Sequence, residues 1–423
     1  ARYFWTNVLN MKETEEIMSP FISKFNKFLI KKSPLEQKKM DNILKIFYNE
    51  IKMADRWASA TKTLEKIKTH LKEGSGKRNI VPAWIMQESK YIPSNIRDYI
   101  IENNKGYIIY KFDIDDREIE IYFGLLNNGD FNQLGKFDKY VNKMLIWLKI
   151  ALSYAPQKCS RELKIYVFLT PFKKKLPGNQ FKVLSQNNCN SAVTMSCNPH
   201  GEIIVYRAEE FIKVFIHETF HTLGLDFSNM HLKHFNSKVK NIFPINSEFN
   251  LFEAYAEFWA STMNSLTTAF NLLDDKDDID QFLLYGDFCL RFEQIFSLFQ
   301  MVKILNFMGI KYPNLYSTDK VSMGVRRYLF KEKTNVFAYY IIKTLLLYNN
   351  TDFLLWCKEH NNNIMTFNKS PPTLSSFLQF IHQNHDNGFF LNDVVKMDAF
   401  LQKMKGKHSF LTKTMRMSVC EID

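Results

Sequence analysis

The feature that most constrains this chain is residues 208–226, AEEFIKVFIHETFHTLGLD, which carry two histidines four positions apart. The segment from His217 to His221 reads H-E-T-F-H, the H-E-x-x-H pattern. Residues four apart lie on one face of an α-helix, so both imidazoles can bind one Zn²⁺ ion. Glu218 follows the first histidine and can act as the general base towards a zinc-bound water. The pattern therefore predicts a helix with two metal ligands and a catalytic carboxylate.

The rest of this stretch favours a buried helix. Glu209 and Glu210 are predicted to lie in the first turn, where the helix dipole favours anions. Gly224 is predicted to lie just past the last turn, where glycine commonly ends a helix. The apolar residues are spread nearly all round the helix, as in a helix enclosed by protein: Phe211, Ile212, Val214, Phe215, Ile216, Phe220 and Leu223. An alternative fits the same residues, namely a buried helix with two hydrogen-bonded histidines and no metal.

A catalytic zinc site has three protein ligands and an open position, so a third ligand is needed. Glu253 and Glu257 lie four apart on a predicted second helix, and 31 residues separate His221 from Glu253. The segment F-E-A-Y-A-E-F resembles the glutamate helix of the gluzincin metallopeptidases, N-E-x-x-A-E-[YF] in the M1 aminopeptidase branch. The resemblance implies that Glu253 is the third ligand and that Glu257 supports the site without binding metal. The spacer is longer than in that branch, so the connection must differ.

A second zinc-peptidase pattern, that of the metzincins, fits less well. It requires H-E-x-x-H-x-x-G-x-x-[HD], and the chain supplies Gly224 but has Phe227 at the ligand position. Asp226 lies one residue earlier. It is the alternative third ligand, or else an acceptor for a histidine N–H or a solvated loop acid.

The gluzincin resemblance also implies a Tyr or His that stabilises the oxyanion of the tetrahedral intermediate. Tyr339 and Tyr340 are the first candidates, and Tyr312, Tyr316 and Tyr328 are further ones. The sequence does not choose among them.

The fold class follows from composition and patterning. Only 14 glycines and 12 prolines occur in 423 residues, which favours long helices over an all-β fold. Alternation predicts a hairpin at 107–124 and a buried strand at 163–170. We expect an α+β, mostly helical fold with a zincin-like core and a small β-sheet. The predicted parts are a helical N-terminal region (1–76), the core with both motif helices (77–272) and a helical C-terminal lobe (273–423).

The strand predicted at residues 190–194 has two interpretations of equal weight. In zincins a strand along the cleft pairs through its backbone with extended substrate, and this strand is our candidate for that edge. The other interpretation is an interior strand of the sheet.

The cysteines and the net charge give information about the cellular compartment and the binding partners. The six cysteines lack a C-x-x-C pair and are scattered, which predicts free thiols in a reducing, intracellular compartment. The net charge of +12 permits nucleic-acid binding but does not indicate it. No apolar run reaches the ~18 residues that a membrane span needs.

A looser resemblance covers residues 164–260, from KIYVFLTPFKKKLP through IIVYRAEEFIKVFIHETFHTLGLDF to EAYAEFWA. This region is similar to uncharacterised metallopeptidase-like proteins of large nucleocytoplasmic DNA viruses, which implies packaging in a virion among other virion proteins. The predicted activity is zinc-dependent hydrolysis of a peptide or protein substrate. The alternative is a structural or minor virion protein that keeps a zincin core with little or no activity.

Overall fold

The computed structural model describes residues 12–22, 28, 32–61, 63, 65–70, 91–127, 134–404, 406 and 409–421. The chain forms two compact units, each built from separate segments. We call them the helical unit (Ala1–Tyr48, Lys175–Asn188 and Met230–Asp423) and the sheet unit (Asn49–Lys174 and Cys189–Asn229). The predicted three-part division stays a prediction, and its first boundary, at residue 76, lies outside the described residues.

Helices dominate the described part of the chain. They are α1 (Lys12–Ile22), α2 (Pro34–Ala60), α3 (Ser94–Asn103), α4 (Leu134–Tyr154), α5 (Gln186–Cys189), α6 (Phe211–Thr222), α7 (Lys233–Ile242), α8 (Leu251–Asn271), α9 (Ile279–Phe307), α10 (Lys320–Leu329), α11 (Lys343–Tyr348), α12 (Asn350–His360), α13 (Pro371–Asn384), α14 (Gly388–Met404) and α15 (Ser409–Lys413). A 3₁₀ turn (Tyr312–Leu315) precedes α10, and a π-helical turn (Phe337–Ile342) leads into α11.

Within the described ranges, one mixed six-stranded sheet lies in the sheet unit. Its strands are β1 (Glu65–His70), β2 (Gly106–Ile114), β3 (Arg117–Gly124), β4 (Glu162–Val167), β5 (Ala192–Thr194) and β6 (His200–Val205), in the spatial order β1-β2-β3-β4-β6-β5. Strands β3, β4 and β6 run parallel, and the other pairs are antiparallel. The α+β, mostly helical class predicted from the sequence is confirmed.

The predicted hairpin is confirmed as β2 and β3, joined at Asp115 and Asp116. Both aspartates have positive φ, 48° and 61°, as a two-residue type I′ turn requires. The helical prediction for the N-terminal region is wrong for Glu65–His70. This segment forms β1 because all six of its residues pair with β2, which satisfies its backbone groups on that side.

In the part of the chain that the structure describes, strand β5 lies at one edge of the sheet, so the interior interpretation of residues 190–194 is wrong for Ala192–Thr194. The strand pairs with β6 alone in the sheet order. Pairing of this edge with a substrate stays a prediction. Helix α6 packs against both β5 and β6, and α4 also packs against α6. Trp147 of α4 donates from its indole Nε1 to Oγ1 of Thr219 at 2.7 Å, which fixes the rotation of α6 about its axis.

A disulfide joins Cys159 to Cys197 within the sheet unit. The prediction that all six cysteines are free thiols is therefore wrong for this pair. The two residues are 38 positions apart and approach each other only because their loops meet in the fold. The other four, Cys189, Cys289, Cys357 and Cys420, are buried and are not part of a disulfide. The reducing compartment was inferred from the expectation of six free thiols. It stays a prediction, and the disulfide removes part of the argument for it.

The helical unit encloses an extended segment near the chain end, Thr414–Cys420, which we call the C-terminal strap. Every residue of the strap is between 0% and 9% exposed. Glu293 of α9 accepts hydrogen bonds from the backbone N–H groups of Val419 (2.8 Å) and Cys420 (3.0 Å). Five more buried side chains donate to strap carbonyls: Asn264, Gln300, Lys303, Tyr340 and Lys343. The strap is thus held mainly through its main chain.

Among the described residues, no helix is both long enough and apolar enough to span a membrane.

Candidate metal centre

Helix α6 carries the H-E-x-x-H pattern and is buried almost throughout. All of its residues except Ile212 are buried. The prediction that Glu209 and Glu210 lie in its first turn is wrong, because the helix begins at Phe211. Glu210 is the N-cap residue with a left-handed φ of 59°. Both carboxylates bind Lys174 instead: Glu209 accepts its backbone N–H at 2.7 Å, and Glu210 pairs with its buried ammonium group.

The C-terminal end of α6 closes as predicted at Gly224. The N–H of Gly224 donates to the carbonyl of His221 (3.0 Å), and the N–H of Leu225 donates to that of Phe220 (2.9 Å). These two bonds form a Schellman motif, whose C′ residue takes a left-handed conformation. Gly224 has φ = +66°, so glycine meets the requirement without strain.

Replacing Gly224 with Ala should destabilise the protein by about 1–3 kcal/mol. A Cβ there would lie 3.0 Å from Sγ of Cys159 and 3.2 Å from Cβ of Cys197, besides straining the positive φ. Thermal unfolding of the variant gives the effect. Gly135→Ala in α4 is the matched control, since a Cβ at Gly135 meets nothing within 4 Å. Equal unfolding midpoints for the two variants would contradict this account.

The two histidines of α6 present their imidazole nitrogens to each other. Nε2 of His217 lies 3.0 Å from Nε2 of His221. Two nitrogens bound about 2.1 Å from one tetrahedral ion would stand about 3.4 Å apart, so the observed separation is close to that of a ligand pair. The imidazoles are 5% and 8% exposed, and Glu218 between them in sequence is 8% exposed.

Asp226 contacts the other nitrogen of His221. Its Oδ2 hydrogen-bonds Nδ1 of His221, while its Oδ1 accepts from the N–H (3.0 Å) and Oγ (2.6 Å) of Ser228. Asp226 is fully buried. A carboxylate at Nδ1 holds that proton and leaves the Nε2 lone pair for a metal ion. Of the roles predicted for Asp226, this geometry corresponds to the acceptor for a histidine N–H.

Three side chains form a group with the donor atoms of a metal site: His217, His221 and Glu253. One ligand atom from each lies within 4.8 Å of the others. Two imidazoles and one carboxylate are the donors found in several catalytic zinc sites, and Asp226 is not part of the group. Side chains of this chemistry fit a divalent transition-metal ion.

Glu253 and Glu257 both belong to α8, one turn apart. Nδ2 of Asn335 donates to Oε1 of Glu253 at 3.3 Å, and Oδ1 of Asn335 accepts from the N–H of Asn250 at 3.2 Å. Asn335 thus fixes the Glu253 carboxylate relative to the start of α8. Sequence reasoning missed this role, since nothing in the local pattern connects positions 82 residues apart. Glu257 is 3% exposed.

The tyrosines proposed for oxyanion stabilisation lie in different surroundings. Tyr340 donates its hydroxyl proton to the carbonyl of Met415 at 2.7 Å, and Tyr312 donates to that of His385 at 2.9 Å. Tyr328 is 65% exposed on α10. Tyr339 is buried in the π-helical turn, which packs against α8. Isolated π turns are frequent at functional sites, so Tyr339 stays our first candidate.

A buried carboxyl group lies three residues before Asn335. Glu332 accepts from Oγ of Ser247 (2.6 Å) and from the N–H of Phe337 (2.8 Å). Burial raises its pKa from 4.5 to about 7, more than these bonds lower it. Because the folded state binds this proton more tightly than the unfolded state, the stabilisation is complete below pH 4.5 and is lost as the pH rises through 7.

We therefore expect Glu332→Gln to remove part of the pH dependence of stability. The wild type should lose about 3 kcal/mol of unfolding free energy between pH 4.5 and 7 through this group, at about 1.4 kcal/mol per pH unit. Denaturant unfolding of both proteins at pH 5 and pH 8 measures the difference. Parallel pH profiles would show that Glu332 does not titrate in this window.

Comparison of the chain with known proteins does not assign it to a family. No family model, no curated protein and no solved structure matches the chain. The protein has a mostly helical α+β fold, and it contains a His-His-Glu group whose side chains could bind a metal ion. Any functional assignment rests on that group.

Proposed function

We propose that the chain is a zinc-dependent peptidase with a gluzincin-like ligand set. The observation that carries the proposal is the grouping of His217, His221 and Glu253, with one donor atom from each within 4.8 Å of the others. The two histidines stand one turn apart on a buried helix, as the motif requires. When bound in such a site, zinc polarises the substrate carbonyl and lowers the pKa of its water towards ~7.

Glu218 is the proposed general base and acid. It directly follows His217 on α6, and it is 8% exposed, which keeps bulk water from competing for its carboxylate. Glu218 would accept a proton from the attacking water and deliver it to the leaving amine. Asp226 would hold His221 with Nε2 available, and Asn335 would orient Glu253.

Strand β5 supports a peptide rather than a small molecule as substrate. It lies at an edge of the sheet and α6 packs against it, so the histidine helix and an edge strand are neighbours within the sheet unit. Val193 and Thr194 are half-buried, not covered. An extended peptide that pairs with this edge would gain main-chain hydrogen bonds independent of its sequence. Tyr339 is the proposed oxyanion stabiliser.

The test combines metal analysis with a proteolysis assay on the full chain. We expect one zinc per chain and metal-dependent cleavage of a fluorogenic peptide library. Glu218→Gln should keep the zinc and lower the cleavage rate about 10²–10⁴-fold, since it removes only the proton acceptor. Glu248→Gln is the matched control, because Glu248 is exposed and close in the chain to Glu253.

Three results would count against the proposal. Cleavage by Glu218→Gln at the wild-type rate would exclude Glu218 as the base. A zinc-loaded wild type that cleaves no library peptide would favour the structural alternative. Iron in place of zinc would point to a different chemistry, because two histidines and a carboxylate also bind non-haem Fe(II).

A further inference from the structure

Helix α10 in the helical unit has an unusual distribution of polar and apolar side chains. Its two buried residues are polar, Ser322 and Arg326, at 5% and 4% exposure. Its outward residues include Val321, Met323 and Tyr328, at 72%, 52% and 65% exposure. Val321 and Tyr328 lie two turns apart on the same side. A surface helix normally buries its apolar side, so this arrangement needs a separate explanation.

Polar bonding holds α10 in this orientation. The guanidinium of Arg326 donates to the carbonyls of Pro244 (3.1 Å), Asn314 (2.6 Å) and Ser317 (3.0 Å). Oγ of Ser322 accepts from Nδ2 of Asn314 at 3.0 Å. These four bonds anchor the inner face without any apolar side chain. The inner side of α10 is therefore held by polar bonds rather than by its most exposed apolar residues.

A pocket adjoins the outer face of α10. It lies between residues 180–184 and the C-terminal ends of α9 and α10, and its apolar lining includes Phe181, Met308, Tyr328 and Leu329. Phe181 is 86% exposed. Residues 180–184 are fixed there because the N–H of Lys333 donates to the carbonyl of Leu184 at 2.8 Å. We call Phe181, Val321, Tyr328 and Leu329 the α10 patch, while Met323 is exposed on another side of the helix.

Basic residues occur at the pocket and on α10: Lys182 and Lys331 line the pocket, and the Arg327 guanidinium lies over the Tyr328 ring. The exposed basic residues are Lys182, Lys320, Arg327, Lys331 and Lys333. The acid at the start of α10, Asp319, is already used as its N-cap and accepts from the N–H of Ser322 at 2.9 Å. The basic residues therefore select an acidic partner. A second copy of this chain is a poor occupant, because each copy carries a net charge of +12.

We propose that the α10 patch is the docking site for an acidic, amphipathic peptide segment of a partner protein. One bulky apolar side chain of that segment would fill the pocket beside Phe181. Its carboxylates would face the lysines and Arg327. Monomeric proteins rarely leave several large apolar side chains exposed beside a pocket unless the surface binds something. The pocket has both apolar and polar lining residues, so it suits one apolar side chain with polar neighbours. The inference does not depend on the metal centre.

Peptide selection tests this directly. A random 12-residue phage-displayed library is panned on the immobilised full chain, with Tyr328→Glu as the counter-selection target. We expect peptides with net negative charge and a bulky apolar residue, whose affinity falls at least about 10-fold in Tyr328→Glu. Their binding should also weaken as salt rises. The matched control is Phe389→Glu, since Phe389 is 80% exposed elsewhere in the helical unit.

Two kinds of result would contradict the proposed docking site. Selected peptides that bind wild type and Tyr328→Glu equally, or that are neutral or basic, would overturn the proposal. So would binding of anionic phospholipid vesicles or single-stranded RNA that Tyr328→Glu abolishes while no peptide is selected. All substitutions are at exposed positions, and unchanged thermal unfolding midpoints would verify that the variants are folded.

Discussion

Replacing Glu253 with Ala is expected to lower zinc affinity by about 1000-fold. Structural zinc sites contribute roughly 10–16 kcal/mol, and the loss of one of three protein donors should remove about 4 kcal/mol of that. Glu253 is the only carboxylate in the His-His-Glu group. Competition with a chelator of known affinity measures the change in the full chain.

Glu248→Ala is the control for this experiment. It removes an exposed carboxylate five positions away from Glu253 on the same chain segment, so it should leave zinc affinity unchanged. Asn335→Ala should give an intermediate loss of about 10–100-fold, because it leaves the ligand in place but frees its carboxylate. Wild-type affinity in Glu253→Ala would remove Glu253 from the ligand set and with it the gluzincin-like assignment.

The second large effect concerns the C-terminal strap. A chain that ends at Lys413 should fail to fold its helical unit. Burial of Met415, Met417 and Val419, each at most 4% exposed, contributes roughly 6 kcal/mol in total. Truncation would also remove the hydrogen-bond donors that the strap supplies to the buried side chain of Glu293, which costs about 1–3 kcal/mol. The sum is comparable to the whole stability of a typical domain, about 5–15 kcal/mol.

Circular dichroism and limited proteolysis of the truncated chain measure this loss. A point variant gives a finer test: Glu293→Ala should destabilise by about 3 kcal/mol, since buried N–H groups of the strap lose their acceptor. Glu359→Ala, at an exposed position of α12, is its control. A truncated chain with native helix content and protease resistance would show that the strap is dispensable.

The local elements of the site could be predicted from sequence. The positions of His217 and His221 on one helix follow from their spacing alone, and the stop at Gly224 follows from the backbone conformation that glycine tolerates. The β2–β3 hairpin was predictable for the same reason, because alternation and a two-residue turn are properties of adjacent residues. The start of α6 was not predictable, because Glu209 hydrogen-bonds the backbone N–H of Lys174 and Glu210 forms an ion pair with its side chain.

Pairings between distant residues were decided by the tertiary structure. They include the Cys159–Cys197 disulfide, the contact of Asn335 with Glu253 and the enclosure of the C-terminal strap. None of them has a local signal, because each depends on how whole elements pack, and packing is the sum of many weak contacts. The exposed apolar residues of α10 are a further case. The sequence shows that this helix has polar and apolar residues on different sides, but the hydrogen bonds of Arg326 decide which side faces the protein. The sequence by itself determined the helix that presents the two histidines, and the fold determined which residues surround and orient them.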